Sequence, residues 1–377
     1  MDTQTILKKF ENVGVGQVAA LLIGLPGHLL HTLLMHVFAG RSSTSSAAEV
    51  SAQYRESRFV RPCPIGQRTL IEADAIAYRI LDPRFLGIET SPVVPLGSNA
   101  VLGGVNQKTV LGTIRSNEVV ADSTTALTLE CAQQRALLLE ENPKSAEIVR
   151  LATSVRCLRL QRFDNVPGFV PHFKAFALAT AGRDTGNEEF EIRSVQEHLT
   201  FYLAYLSAMQ SAGYQMHDVR VEIADVRIMR AIVAHHKLDP IKIGRQVRTS
   251  GFSVFQHYRI ALPGLVQNID EPFTQSLEDH GVDHMHTLIQ KLWAQVIGKL
   301  RDTYPSITFA INLDRAAGMN YYQNGCFKIS AENSADVRYP IVDGGFTDWT
   351  QQLVSSKKER LLVSGIGTEL LCSNFHT

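Results

Sequence analysis

The spacing of apolar residues predicts helices and strands in irregular alternation. Helical spacing covers residues 66–81, 126–139, 195–211 and 284–303, as in helices that bury one stripe. Strand-like runs cover residues 85–96, two short segments between 109 and 121, a β-rich stretch over 155–178 with a loop near 164–168, and residues 219–223 and 307–313. Because regular βαβ alternation is missing, we predict an α+β fold.

Residues 18–38 are apolar over a length that would allow a membrane span. A proline and three histidines interrupt the run and a mixed-charge segment precedes it, which disfavours a membrane span and a secretory signal. We therefore expect no membrane association and predict one or two buried helices, broken near residues 24–27, that pack on a partner subunit. The interrupting residues are Pro26, His28, His31 and His36. Without a fourth ligand nearby, the histidines do not predict a metal site.

A segment of small and polar residues at 39–51 predicts a linker or flexible loop. It divides the chain into an N-terminal helical appendage with its linker, residues 1–50, and a main domain, residues 51–377. The stretch 235–283 has no clear pattern.

Charge and cysteine content narrow the classes of function. The 37 basic and 37 acidic residues give a formal net charge of zero, so no long-range field attracts nucleic acid and a tRNA partner is not expected. The five cysteines are odd in number and have no Cys-x-x-Cys spacing. This pattern predicts reduced thiols in the cytoplasm and no zinc cluster.

Two segments with candidate binding chemistry lie in the first half of the main domain. Asp122, Ser123 and Thr124 precede a predicted helix. They fit an N-cap, and a carboxylate beside a hydroxyl also suits an ammonium ligand. Arg159 ends a predicted strand, where it lies either on a solvated edge or against a phosphate.

A third segment, residues 311–327, joins an apolar strand through a Gly-Met-Asn-Tyr-Tyr turn to a second strand. Taken alone, Tyr321 and Tyr322 also fit half-buried strand positions, since strands are rich in aromatic residues. Near the C-terminus, Gly367, Thr368 and Glu369 precede a short predicted helix.

In this order the three segments and the C-terminal motif resemble the catalytic core of class II aminoacyl-tRNA synthetases, and in particular the histidyl-tRNA synthetase branch. The helix, strand and proline over residues 66–96 resemble the first motif of that family. The resemblance implies a mostly antiparallel sheet flanked by helices, and a homodimer built on the first motif.

The resemblance also implies roles for individual residues. An amino acid would contact Asp122, Thr124, Gly318, Asn320, Tyr321 and Tyr322. A nucleotide would contact Arg159, Gln161, Phe173 and Glu369, with the arginine on the α-phosphate and the phenylalanine on adenine. ATP and magnesium are expected only if the chain forms an adenylate.

Several positions depart from the motifs. The arginine of the turn is replaced by Ala317, and the arginine of the closing motif by Leu370. Lys328 stands in place of a glutamate. Ala175 and Ala179 occupy the positions that read a histidine substrate, so histidine is a doubtful ligand because the hydrogen-bonding groups are gone. An arginine is also missing from the turn at residues 343–348, and the chain ends without the anticodon-binding domain of the synthetases.

The departures predict an amino-acid-binding or regulatory protein without aminoacylation activity. Its domain plan resembles the regulatory subunit of ATP phosphoribosyltransferase in histidine biosynthesis, which implies a catalytic partner subunit. The alternative is an amino-acid-activating enzyme that forms an aminoacyl adenylate and passes it to a carrier, a small molecule or a tRNA. A third hypothesis is a structural homodimer whose N-terminal helices bind a partner.

Overall fold

The computed structural model describes residues 14–160, 171–247, 251–267, 271–282 and 287–376. Within these ranges the strands form one nine-stranded sheet and one two-stranded sheet. The strands are β1 Leu86–Gly87, β2 Val93–Pro95, β3 Asn117–Val119, β4 Val149–Leu158, β5 His172–Arg183, β6 Met216–Asp225, β7 Leu265–Val266, β8 Thr308–Asn312, β9 Gly325–Asn333, β10 Arg338–Thr347 and β11 Glu359–Ile366.

The large sheet is mostly antiparallel, as the sequence predicts. Its strand order is β1-β4-β5-β11-β10-β9-β6-β8-β7, and only the pairs β1–β4 and β6–β8 are parallel. The small sheet pairs β2 with β3. The predicted α+β architecture, an antiparallel sheet flanked by helices, is confirmed.

Helices lie on both faces of the sheet and before it. They are α1 Val15–Gly24, α2 Gly27–Ser43, α3 Ala47–Glu56, α4 Gln67–Ile80, α5 Ser98–Val101, α6 Ser123–Glu141, α7 Glu189–Ser211, α8 Val226–His235, α9 Pro240–Gln246, α10 Val254–Tyr258, α11 Glu271–Glu278, α12 Thr287–Leu292, α13 Gly298–Thr303, α14 Trp349–Leu353 and α15 Thr368–Asn374. A π-helical segment, Trp293–Ile297, joins α12 to α13. Within the described residues, the predicted helices at 66–81, 126–139, 195–211 and 284–303 are therefore confirmed.

The core is divided by the sheet into two apolar layers. On one face α6 packs Leu127 and Cys131 against Ala177 and Ala179 of β5. On the other face α7 contributes a larger layer that includes Leu199 and Tyr202. The alternation along β5 explains the division, because successive side chains of a strand point to opposite faces.

The N-terminal segment forms two helices with a break at Leu25 and Pro26, as predicted, but it is not buried against the rest of the chain. The structure describes α2 throughout, and this helix buries none of its side chains. Ile23 is 86% exposed and Leu21 64% exposed. Among the described residues, no helix combines the length and the hydropathy that crossing a bilayer requires.

The predicted linker at residues 39–51 is wrong, because α2 continues to Ser43 and α3 starts at Ala47. The cause is local. The Ser46 hydroxyl accepts from the Glu49 backbone N–H, and the Glu49 carboxylate accepts from the Ser46 N–H at 2.7 Å. Such a capping box satisfies two backbone donors and starts a helix.

Two strand predictions are also corrected. Residues 85–96 form two separate strands, because β1 joins the large sheet while β2 pairs with β3 in the small one. Pro92 lies between them and has no N–H for a continuous ladder. Of the two short strands predicted at 109–121, β3 is observed, and the other is reduced to a bridge from Gly112 to Glu118.

Candidate functional site

Asp122 caps α6 and also presents its carboxylate to the face of the sheet. Its Oδ1 accepts from the Thr124 backbone N–H at 2.9 Å and from the Thr124 hydroxyl at 2.7 Å. Its Oδ2 accepts from Arg159 Nη2 at 2.8 Å. The capping role and the site role therefore belong to different oxygens of one carboxylate.

Arg159 is held by three contacts. Besides Asp122, its Nε donates to the Ala121 carbonyl at 2.7 Å. Its guanidinium carbon lies 5.4 Å from the centre of the Phe173 ring, within cation–π distance. The structure thus brings together Asp122, Thr124, Arg159 and Phe173, while Gln161 lies outside the described residues.

The turn before β9 positions the two tyrosines. Gly318 has φ +82°, and a Cβ there would lie 2.7 Å from the Tyr322 ring. A Cβ at Gly345 of β10 would lie 2.6 Å from the same ring. The Tyr322 ring is therefore enclosed by two glycines that no other residue can replace without displacing it.

Tyr321 connects this turn to the α6 end of the site. Its hydroxyl lies near Thr124 and near Trp349 of α14. Burial raises the pKa of Tyr321 and of Tyr322, so both phenols stay protonated at neutral pH and can donate a hydrogen bond. Asn320 is exposed, and its Nδ2 lies beside Gly244 of α9 rather than beside Asp122.

A buried cation that the motif alignment does not identify lies on the same face. Arg315 is 6% exposed and donates from Nη2 to Asp343 Oδ1 at 2.7 Å and from Nε to the Ala317 carbonyl at 2.9 Å. Tyr322 donates its hydroxyl to the same Asp343 oxygen at 3.3 Å. Arg315 stands two residues before Ala317, which is why a search in the motif register misses it.

Lys328, which replaces the glutamate of the motif, belongs to a second ion pair on this face. Its Nζ lies 3.1 Å from Glu222 Oε2 on the neighbouring strand β6. Asn312 of β8 donates to the same oxygen at 2.6 Å. The register pairs Lys328 with both Glu222 and Asp343, so this second network lies beside the first.

The positions expected to read a histidine side chain lie in apolar surroundings. Ala175 is 6% exposed and Ala179 is fully buried. Ala179 packs with Leu127, Leu361 and Val363, and hydrocarbon surfaces offer no partner to an imidazole nitrogen.

Glu369 is not brought to Arg159. Its Oε1 lies 2.5 Å from Arg156 Nη2, and Arg156 pairs in register with Lys174 while Phe173 pairs with Cys157. Because adjacent strand residues point to opposite faces, Glu369 is bound on the face away from Phe173. Leu370 packs against the larger core layer.

Among the described residues, a group away from these networks has the composition of a metal site. His217 Nε2 lies 3.0 Å from Asp336 Oδ1 and 3.6 Å from Glu332 Oε2. Arg338 pairs with Glu332 at 2.8 Å, so one of the two carboxylates already has a protein cation as its partner.

Solved structures share this fold. The chain is similar to an ATP phosphoribosyltransferase regulatory subunit/histidyl-tRNA synthetase from Bacillus halodurans, at 13% identity and TM-score 0.57, over 85% of this chain and 83% of that one. It is also similar to histidyl-tRNA synthetase from Nostoc sp., at 15% identity and TM-score 0.56, over 84% and 74%. A third structure, a histidine–tRNA ligase subunit from Alicyclobacillus acidocaldarius, gives 11% identity and TM-score 0.55, over 83% and 94%.

No protein-family model matches the chain, and no curated protein does. At these identities the structural comparisons establish the fold, which is that of a class II aminoacyl-tRNA synthetase core, and the function has to be argued from the site.

Proposed function

We propose that this chain is an amino-acid-binding regulatory protein on a synthetase-like fold, without aminoacylation activity. The observation that carries the proposal is the ion pair between Asp122 and Arg159 at 2.8 Å. The resemblance assigns the carboxylate to an ammonium and the guanidinium to a phosphate, yet here the two groups neutralise each other.

A free amino acid fits this pair better than a nucleotide does. Its ammonium can take the Asp122 oxygen that Arg159 now occupies, and its carboxylate can pair with the released guanidinium. One ion pair is then exchanged for two, and the planar fork of Arg159 matches a carboxylate. The Tyr321 hydroxyl, which lies near Thr124, is a further donor for the ligand.

Adenylate formation would need cations that are free to hold phosphates. Of the cations described on this face, Arg315 is engaged by Asp343 and Lys328 by Glu222. Leu370 offers an apolar side chain where the family has an arginine. Since one electrostatic contact of this kind commonly contributes about 3 kcal/mol to lowering a barrier, its loss weighs against an activating enzyme.

The ligand need not be histidine. Ala179 lies in an apolar cluster, which suits a small or apolar side chain better than an imidazole. We therefore expect binding of an amino acid to depend more on its ammonium and carboxylate groups than on its side chain.

A homodimer and a catalytic partner subunit belong to the same proposal. One structural neighbour is described as an ATP phosphoribosyltransferase regulatory subunit, and regulation of that kind requires a second chain. The exposed apolar residues of α1 and α2, such as Leu21 and Ile23, offer a surface for such a partner, because apolar patches of this kind mark interaction sites.

The proposal is tested by thermal denaturation in the presence of each standard amino acid, with and without ATP and magnesium. Binding to the folded state raises the melting temperature. We expect at least one amino acid to stabilise the protein without ATP, and Asp122→Asn and Arg159→Met each to abolish the effect. Arg84→Met, which removes ion pairs with Asp82 and Glu197, is the matched control and should keep the response. Stabilisation by ATP alone would contradict the proposal.

The second candidate function is an amino-acid-activating enzyme. It is favoured by the position of Arg159 over Phe173, the arrangement that the resemblance assigns to ATP. This function predicts amino-acid-dependent exchange of pyrophosphate into ATP, which a binding protein does not catalyse.

A further inference from the structure

A cleft of about 540 Å³ lies at the end of the sheet away from Arg159. Phe173 stands near the start of β5 and Asp184 follows its end, so roughly 35 Å of strand separates the two places at about 3.3 Å per residue. The cleft is bounded by the start of α7, the start of α8, α12 and the strand ends of β10 and β11. Its lining includes Asp184, Glu188, Glu191, Arg227, Lys291, Asn324, Thr347 and Arg360.

The cations that line the cleft already have carboxylate partners. Arg360 pairs with Asp184 at 2.7 Å and with Glu191 at 3.1 Å. Lys291 lies 3.0 Å from Glu188, and Arg227 lies 2.6 Å from Asp225. The described lining therefore has little positive charge left for an anion.

Three oxygen atoms of the lining, in contrast, lack a hydrogen-bond donor. Glu191 Oε2, Asn324 Oδ1 and Thr347 Oγ1 are each buried and have no hydrogen-bond partner among the described residues. Glu191 is only 4% exposed and Thr347 only 3% exposed. Buried oxygens without donors are uncommon in folded proteins, and a ligand bound in the cleft is one way to supply the donors.

The charge of Glu191 is only partly compensated. Burial raises the pKa of this carboxyl, and the nearby charge of Arg360 opposes the rise in part. A ligand that brings a positive charge and N–H donors would favour the ionised form.

Size distinguishes among the ligands that such oxygens could bind. Carboxylate, amide and hydroxyl oxygens also bind hard metal ions, but about 540 Å³ is the volume of a small-molecule site. We propose that this cleft binds a small aliphatic amine through its ammonium group, with Glu191, Asn324 and Thr347 as the acceptors.

The test is isothermal titration of the full chain with putrescine as the probe. Magnesium chloride, calcium chloride and inorganic phosphate are titrated separately at the same ionic strength. We expect putrescine to bind and phosphate not to bind. Glu191→Gln should weaken putrescine about 10- to 100-fold, the range for a hydrogen bond to a charged group.

Two further variants distinguish a loss of binding at this cleft from a general loss of protein stability. Glu189→Gln removes a carboxylate from the same turn of α7 at an exposed position outside the lining, and it should leave the affinity unchanged. Asn324→Asp adds a charge and should tighten putrescine several-fold, a change that a destabilised fold does not produce.

No heat from putrescine, an affinity that Glu191→Gln leaves unchanged, or binding of magnesium or calcium in place of putrescine would overturn the proposal. So would binding of phosphate at this cleft.

Discussion

Arg135 and Glu359 form an ion pair with no exposure to solvent on either side chain. The contact is bidentate, with Nε to Oε2 at 2.7 Å and Nη2 to Oε1 at 3.0 Å. Arg135 also donates to the Glu147 carbonyl at 2.5 Å and to the Ser145 carbonyl at 3.0 Å. One side chain thus joins α6, the segment before β4 and the start of β11.

Arg135→Met keeps most of the volume and removes the charge. It leaves the Glu359 carboxylate buried without a counter-ion, a loss that typically costs about 3–5 kcal/mol. The two carbonyls lose donors as well, at about 1–3 kcal/mol for each buried group left unsatisfied. Protonation of the carboxyl limits the first cost, and because protonating a carboxyl of ordinary pKa at pH 7 itself costs about 3 kcal/mol, we expect a total loss of at least about 5 kcal/mol at neutral pH.

The assay is urea denaturation of the wild type and three variants at 25 °C. The double variant Arg135→Met with Glu359→Met removes both charges and should recover a large part of the loss, since a buried pair is often replaced by apolar residues at little cost. Arg84→Met removes a half-exposed guanidinium that pairs with Asp82 and with Glu197. Because Glu197 keeps Arg150 as a partner, the unfolding free energy should change by less than about 1 kcal/mol.

A loss below about 1 kcal/mol for Arg135→Met, or a double variant no more stable than Arg135→Met alone, would contradict this prediction. The first outcome would mean that the carboxylate is not isolated from water. The second would mean that the hydrogen bonds from Arg135 to the two carbonyls, and not the ion pair, account for the loss of stability.

Three more perturbations follow from the structure. Burial lowers the pKa of His198 from 6.5 to about 3, so the unfolded chain binds a proton that the folded chain does not. In urea denaturation, stability should fall by about 1.4 kcal/mol per unit as the pH drops below 6.5, and His198→Gln should remove that contribution. Gly318→Ala should cost more than about 1 kcal/mol through its left-handed φ and its clash with Tyr322, whereas Gly112→Ala, whose added Cβ meets nothing within 4 Å, should be nearly neutral; urea denaturation of both variants measures this. Deletion of residues 1–45 removes the exposed apolar residues of α1 and α2 and should abolish association with a partner chain. The homodimer expected on residues 66–96 should be retained in analytical ultracentrifugation, and so should the unfolding transition.

The sequence predicts the elements whose patterns are local and long. The stripe of α7 and the strand, turn and strand around Tyr321 are visible in the residues themselves. The Ser46-x-x-Glu49 signal of a capping box is also present in the sequence, but the small polar residues around it are equally typical of a linker. Short helices such as α9, capped by Asp239, have too few positions for a periodic pattern.

The ion pairs of the site could not be predicted in the same way. Lys328 and Glu222 meet because β9 lies beside β6 in a particular register, and Arg315 meets Asp343 across the turn. The partner of Arg159 is likewise set by where α6 begins relative to β4. Such pairings depend on tertiary structure, so the motif identifies the residues and the fold decides which groups they neutralise.

The central claim is that the chain binds an amino acid without activating it. The most direct measurement is amino-acid-dependent exchange of labelled pyrophosphate into ATP, with magnesium present and each standard amino acid in turn. We predict no exchange with any of them, including the amino acid that stabilises the protein. Exchange that depends on one amino acid and is lost in Arg159→Met would contradict it and would identify the chain as an adenylate-forming enzyme.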